Sequence, residues 1–68
     1  MFEVQISLEY PVDRPDNLIK LVEGVGAYIT GMDKEWFVSG DSVAAVVRGV
    51  VALVRMGYAL EVSDVPIT

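Results

Sequence analysis

The chain contains neither cysteine nor histidine. Disulfide frameworks, zinc fingers, iron–sulfur centres, Ser-His-Asp triads and thiol nucleophiles each need one or the other and are excluded. Positive charge is scarce: five Lys/Arg stand against ten Asp/Glu, a formal charge of -5. Binding nucleic acid by neutralising phosphates needs a basic surplus, so that class of partner is set aside. Side-chain amides are limited to Gln5 and Asn17, a shortage of thermolabile groups that suits a protein kept hot and that codon bias would equally produce. Long apolar runs are also missing. The most apolar stretch, Val43 to Val54, is interrupted by Arg48 and falls short of the roughly 20 residues that cross a bilayer. The start, Met1-Phe2-Glu3-Val4-Gln5, has neither the basic region nor the apolar core of a leader peptide. A soluble, cytoplasmic protein with no membrane partner is expected.

What is present in excess is apolar side chain. Hydrophobic residues make up 53% of the 68 positions, with valine alone at 13 of them, and mean hydropathy is +0.47. Counting glycine and omitting tyrosine, 39 of 68 residues are apolar, against about 45–50% in ordinary soluble domains. A chain this short forms one domain, 1–68, and buries only about 60% of its unfolded surface. The surplus has no home in a monomer, so a homo-oligomer, in the first instance a dimer, is expected.

Phe2, Val4, Ile6, Leu8 and Tyr10 alternate with Glu3, Gln5, Ser7 and Glu9, the period of a strand with one buried face. Pro11 ends it. Pro15 suits a first helical turn, and Asp13 and Asp16 put negative charge at the positive end of the helix dipole. Leu18, Ile19, Leu21, Val22 and Val25 share one side of a helix over Pro15–Glu23, closed by Gly24 and Gly26. Ala27–Thr30 and Glu35–Ser39 read as a hairpin around the turn Gly31-Met32-Asp33-Lys34. Asp41 or Ser39 is the expected cap of a second helix. Composition leaves Val43–Met56 ambiguous, but fourteen extended residues would span roughly 46 Å, too long for a small sheet. On a helical wheel Val43, Val46, Val47, Val50, Leu53 and Val54 form one stripe, the expected buried face. Tyr58, Leu60 and Val62 alternate into a last strand after Gly57, and Asp64–Thr68 is a short tail. The order β-α-β-β-α-β predicts an α+β, ferredoxin-like two-layer sandwich, with both helices on one face of a four-stranded antiparallel sheet. The two β-α-β halves imply a pseudo-repeat that is not visible in the residues.

No catalytic constellation emerges. Glu3, Glu9, Asp33, Glu35 and Glu61 offer carboxylates without the spacing of an acid–base pair. Ser42 follows Gly-Asp rather than a nucleophile elbow. Gly24-Val25-Gly26 lacks both the third glycine and the following helix of a dinucleotide loop. Asp33 and Glu35 suit a hairpin turn better than a hard cation. No metal, cofactor or catalytic residue is assigned. Tyr28 and Phe37 are expected as a cross-strand pair or as part of a sheet contact between copies. Ala45, Gly49, Ala52 and Met56 form a small-residue strip beside Arg48 and Arg55, suited to close approach of the first helix or of another molecule. The interface candidates are therefore Tyr28, Phe37, Ala45, Gly49 and Ala52.

Asp13-Arg14-Pro15-Asp16-Asn17-Leu18 resembles the opening of an ACT domain, where a strand runs into Asp-Arg-Pro-Gly-x-Leu and the first helix. Gly57-Tyr58-Ala59-Leu60-Glu61-Val62 is similar to the end of that domain. Asp16 stands where the family has glycine. The resemblance implies a regulatory module that pairs side by side through its first strand and first helix. It also implies a small ligand, often an amino acid, at the loop between them. By position this makes Asp13 a ligand contact, with Arg14, Asp16 and Asn17 as candidates by location. The leading expectation is a non-enzymatic, self-associating regulatory module. The alternative is an acidic decoy or inhibitor that presents Glu3, Glu9, Glu35 and Glu61 from one face to a basic protein surface.

Overall fold

The computed structural model describes residues 1–64. The elements are β1 (Phe2–Leu8), α1 (Pro15–Glu23), β2 (Tyr28–Met32), β3 (Glu35–Gly40), α2 (Val43–Arg55) and β4 (Leu60–Asp64). They make an α+β fold with a four-stranded sheet in the order β2-β3-β1-β4, every neighbouring pair antiparallel. The tail expected over Asp64–Thr68 contributes Asp64 to β4, and 65–68 lie outside the described residues.

Alternation in β1 does what its period requires as far as Leu8, where the strand ends, short of the expected Tyr10, which is exposed. Val4, Ile6 and Leu8 are buried, and they align with Val38, Trp36, Val62 and Leu60 across the two neighbouring strands. Leu18 and Val22 from α1 and Val46 and Leu53 from α2 join these strand residues in one core. No polar or charged residue is buried among the described residues.

The hairpin closes more tightly than its sequence predicts. Gly31 and Met32 pair with Trp36 and Glu35, leaving Asp33 and Lys34 as the turn, with Asp33 at φ 55°. The buried Trp36 ring crosses Gly31, where no side chain opposes it, and its Nε1–H donates to the Asp33 carbonyl at 3.0 Å. At the start of α2 the cap is neither Asp41 nor Ser39. Strand β3 runs on to Gly40, which is held against Phe2, and the helix starts at Val43, the expected position. Ser42 takes the cap, its Oγ accepting from the Ala45 N–H at 3.1 Å. Ser42→Ala is expected to cost about 1 kcal/mol, within 0.5–2. Urea denaturation at constant m checks it, and an unchanged midpoint would remove the cap from the account.

Both helices end by the same device. At α1, Gly26 N–H donates to the Glu23 carbonyl and Ala27 N–H to the Val22 carbonyl; at α2, Gly57 donates to Val54 and Tyr58 to Leu53. These pairs are the hydrogen bonds of a Schellman ending, which places the residue just past the cap, usually glycine, in the left-handed conformation. Gly26 (φ 88°) and Gly57 (φ 92°) have that conformation. The pseudo-repeat is thus written in the helix ends, as Val22-x-x-x-Gly26 and Leu53-x-x-x-Gly57.

Candidate functional site

Three surfaces hold the residues that the sequence singles out. The first is the β1–α1 loop. Asp13, Arg14, Asp16 and Asn17 are all exposed. Asp13, Arg14 and Asn17 line a shallow hollow of about 370 Å³ with Tyr10, Pro11, Val12 and Tyr58, and Asp16 is not among its walls. Helix α1 begins without a side-chain cap at Arg14, and Pro15 follows at its first position. Tyr58 is the residue that sequence reading missed here. The signal was Gly57, whose left-handed turn at the end of α2 brings Tyr58 back beside the end of β1. Pairing of copies through the first strand meets an obstacle: β1 is bonded to β3 on one side and, over Gln5–Leu8, to β4 on the other. The outer strands of the described sheet are β2 and β4.

The second surface is the face of the sheet opposite the core. The register puts Glu3, Gln5 and Ser7 of β1 on it, together with Glu35, Phe37 and Ser39 of β3, Tyr28, Thr30 and Met32 of β2, and Glu61 of β4. Phe37 is half-buried between its partners Gln5 and Thr30, and Tyr28, exposed, lies on the diagonal from it. They are diagonal neighbours rather than a directly opposed pair. The Glu35 carboxylate is held in place, its Oε2 accepting from Gln5 Nε2 at 3.2 Å and Ser7 Oγ at 3.3 Å. Three carboxylates, Glu3, Glu35 and Glu61, share this face, with no lysine or arginine among the residues above.

The third surface is α2, where the structure corrects the sequence reading. Ala45, Gly49 and Ala52 are buried in the chain's own core, with Val46 and Leu53. They are unavailable to a second molecule. A Cβ on Gly49 would lie 3.0 Å from Val38 Cγ1, 3.1 Å from Ala27 Cβ and 3.3 Å from Val22 Cγ1. The helix therefore touches β3 and α1 at one point, and only small residues allow that approach. The expected apolar stripe is thereby split: Val46 and Leu53 are buried and Val50 half-buried, while Val43 is 44%, Val47 52% and Val54 56% exposed, as is Val51 beside them at 39%. Gly49→Val tests the close approach. Glycine in a helix interior costs up to about 1 kcal/mol relative to alanine, of which β-branched valine would recover only part. Overpacking costs typically 1–3 kcal/mol, so a net loss is expected in a thermal melt, and a gain would show that α2 stands farther off.

Helix α2 leaves a groove on the β4 side. Val62 shares the helix-facing side of the sheet with its partner Ile6, yet is 46% exposed. An apolar cavity of about 190 Å³ lies between it, Phe2, Val4 and the α2 valines 43, 46, 47 and 50. On the other flank of α2, Arg48 Nε donates to the Val25 carbonyl at 3.2 Å, a cation at the negative end of α1. Among the described residues no group of three or more acidic side chains is placed to hold a metal ion, and no helix is long and apolar enough to cross a membrane. Comparison with family models, curated proteins and solved structures gives no match.

Proposed function

We propose that this chain is a non-enzymatic binding module of the ferredoxin-like type that associates with further copies of itself through the outer face of α2. One observation carries the reading: four valines of a 13-residue helix stand 39–56% exposed. Apolar surface in contiguous stretches is uncommon on a monomer and marks a contact. The ferredoxin-like assignment is supported by the sheet order, read from its other edge as β4-β1-β3-β2, and by the single core shared by both helices. A regulatory role of the ACT kind draws on Asp13-Arg14-Pro15 and on the hollow beside Tyr58. Light scattering tests self-association. The mass is expected to rise above 7.4 kDa as concentration goes from low to high micromolar, and a constant monomer mass would contradict it.

A second reading, the acidic decoy, is favoured by the gathering of Glu3, Glu35 and Glu61 on one sheet face. It requires capture of a basic protein that weakens steeply with salt, and capture that ignores salt would dismiss it.

A further inference from the structure

Resting on self-association through α2, we infer that the copies meet head to tail: the α2 face of one docks on the open sheet face of the next. Charge selects this arrangement. Helix α2 carries Arg48 and Arg55 and no acid. Among the described residues the open sheet face carries Glu3, Glu35 and Glu61 and no base. Two α2 faces packed on each other would gather four arginines and no carboxylate. Two sheet faces would gather six carboxylates. Only helix on sheet sets opposite charges against each other, and like-charge juxtaposition is what rejects wrong partners.

The spacing agrees. Arg48 and Arg55 are seven residues apart, about 10.5 Å along a helix axis. Glu3 lies four residues from Ser7, about 13 Å along a strand, and Glu35 and Glu61 flank Ser7 on the two neighbouring strands, each about 4.8 Å away. An arginine side chain spans the difference. Phe37, beside Gln5, sits midway between the acidic ends, where the valines between the two arginines would fall. Because the two faces differ, the contact is heterologous and leads to a ring or a chain of copies.

Two doubly substituted proteins test this. Val47→Asp with Arg55→Glu blocks the helix face, and Glu3→Arg with Glu61→Arg blocks the sheet face. All four residues are exposed, and circular dichroism confirms that each variant keeps the fold. Sedimentation velocity is run on wild type, on each variant and on their equimolar mixture. Each variant alone is expected to be monomeric where wild type associates. The mixture is expected to associate, because the native α2 of the sheet-blocked protein fits the native sheet face of the helix-blocked one and the reversed faces also carry opposite charges, and to dissolve at about 0.5 M salt, where screening shortens to a few ångströms. If the sheet-blocked protein associates alone, α2 pairs with itself and the inference is overturned. Association of the helix-blocked protein alone overturns it in favour of a sheet contact. A mixture that stays monomeric also overturns it. A wild type that is monomeric throughout instead removes the self-association reading underneath.

Discussion

Leu53→Ala is expected to cost about 2–5 kcal/mol, the range for truncating a buried leucine when its cavity only partly collapses. Leu53 is fully buried, faces the core shared by β1, β3 and α1, and lies in the last turns of α2, where its carbonyl accepts from Tyr58 N–H. A chain of this length holds roughly 3–10 kcal/mol in all, at 0.05–0.15 kcal/mol per residue. The variant therefore loses a large share of its stability. Each kcal/mol lowers Tm by about 4–8 °C in a domain of this size. Val54→Ala, one residue along but 56% exposed, is expected to change stability by less than about 0.5 kcal/mol. Thermal and urea melts at low concentration, where association does not contribute, check both. Comparable losses at 53 and 54 would mean that α2 faces the core differently.

Val47→Asp combined with Val51→Asp is expected to weaken self-association at least ~100-fold while leaving the monomer folded. Complete burial of a valine stabilises by about 1.5–3 kcal/mol, and these two begin roughly half exposed, so each forfeits about 1 kcal/mol. A carboxylate dried in the contact without a partner adds at least about 1 kcal/mol more. The sum exceeds the ~2.8 kcal/mol that corresponds to 100-fold. A concentration series by light scattering reads the change. Association unchanged in the double variant would place the contact elsewhere on the molecule.

Much of the fold was legible because its period is strong. Strand β1 alternates over its whole length, and α1 begins at Pro15 and ends at Glu23 as its proline, acidic first turn and glycines indicate. Where the reading missed, a contact distant in sequence decided. Gly31 has the chemistry of a turn, but Trp36 folds over it and draws it into β2. Ser39 and Asp41 have the chemistry of a cap, but pairing of Gly40 with Phe2 extends β3 and passes the role to Ser42. The error on α2 is the instructive one. A helical wheel ranks faces by hydrophobicity, whereas packing ranks them by volume as well. With β3 and α1 converging on one point of the helix, Ala45, Gly49 and Ala52 fit there beside the buried Val46 and Leu53, and Val43, Val47, Val51 and Val54 are left exposed.

The same rule explains the candidate surface. A small-residue strip marks a place where something comes close, and at Gly49 something does: Val38, Ala27 and Val22 of the same chain. The apolar surplus visible in composition is located by that fact, since burying the small face leaves the valines outside. The carboxylates on the open sheet face were foreseeable from the period of β1, because Glu3, Gln5 and Ser7 lie opposite its buried residues. Their alignment with Glu35 and Glu61 needed the register.

Methyl NMR over a dilution series addresses the outer face of α2 most directly. With valine methyls labelled, resonances of Val43, Val47, Val51 and Val54 are expected to shift progressively as concentration rises. Those of the fully buried Val22 and Val38 should stay where they are. Helical valine signals indifferent to concentration, while the assembled fraction grows, would contradict the account.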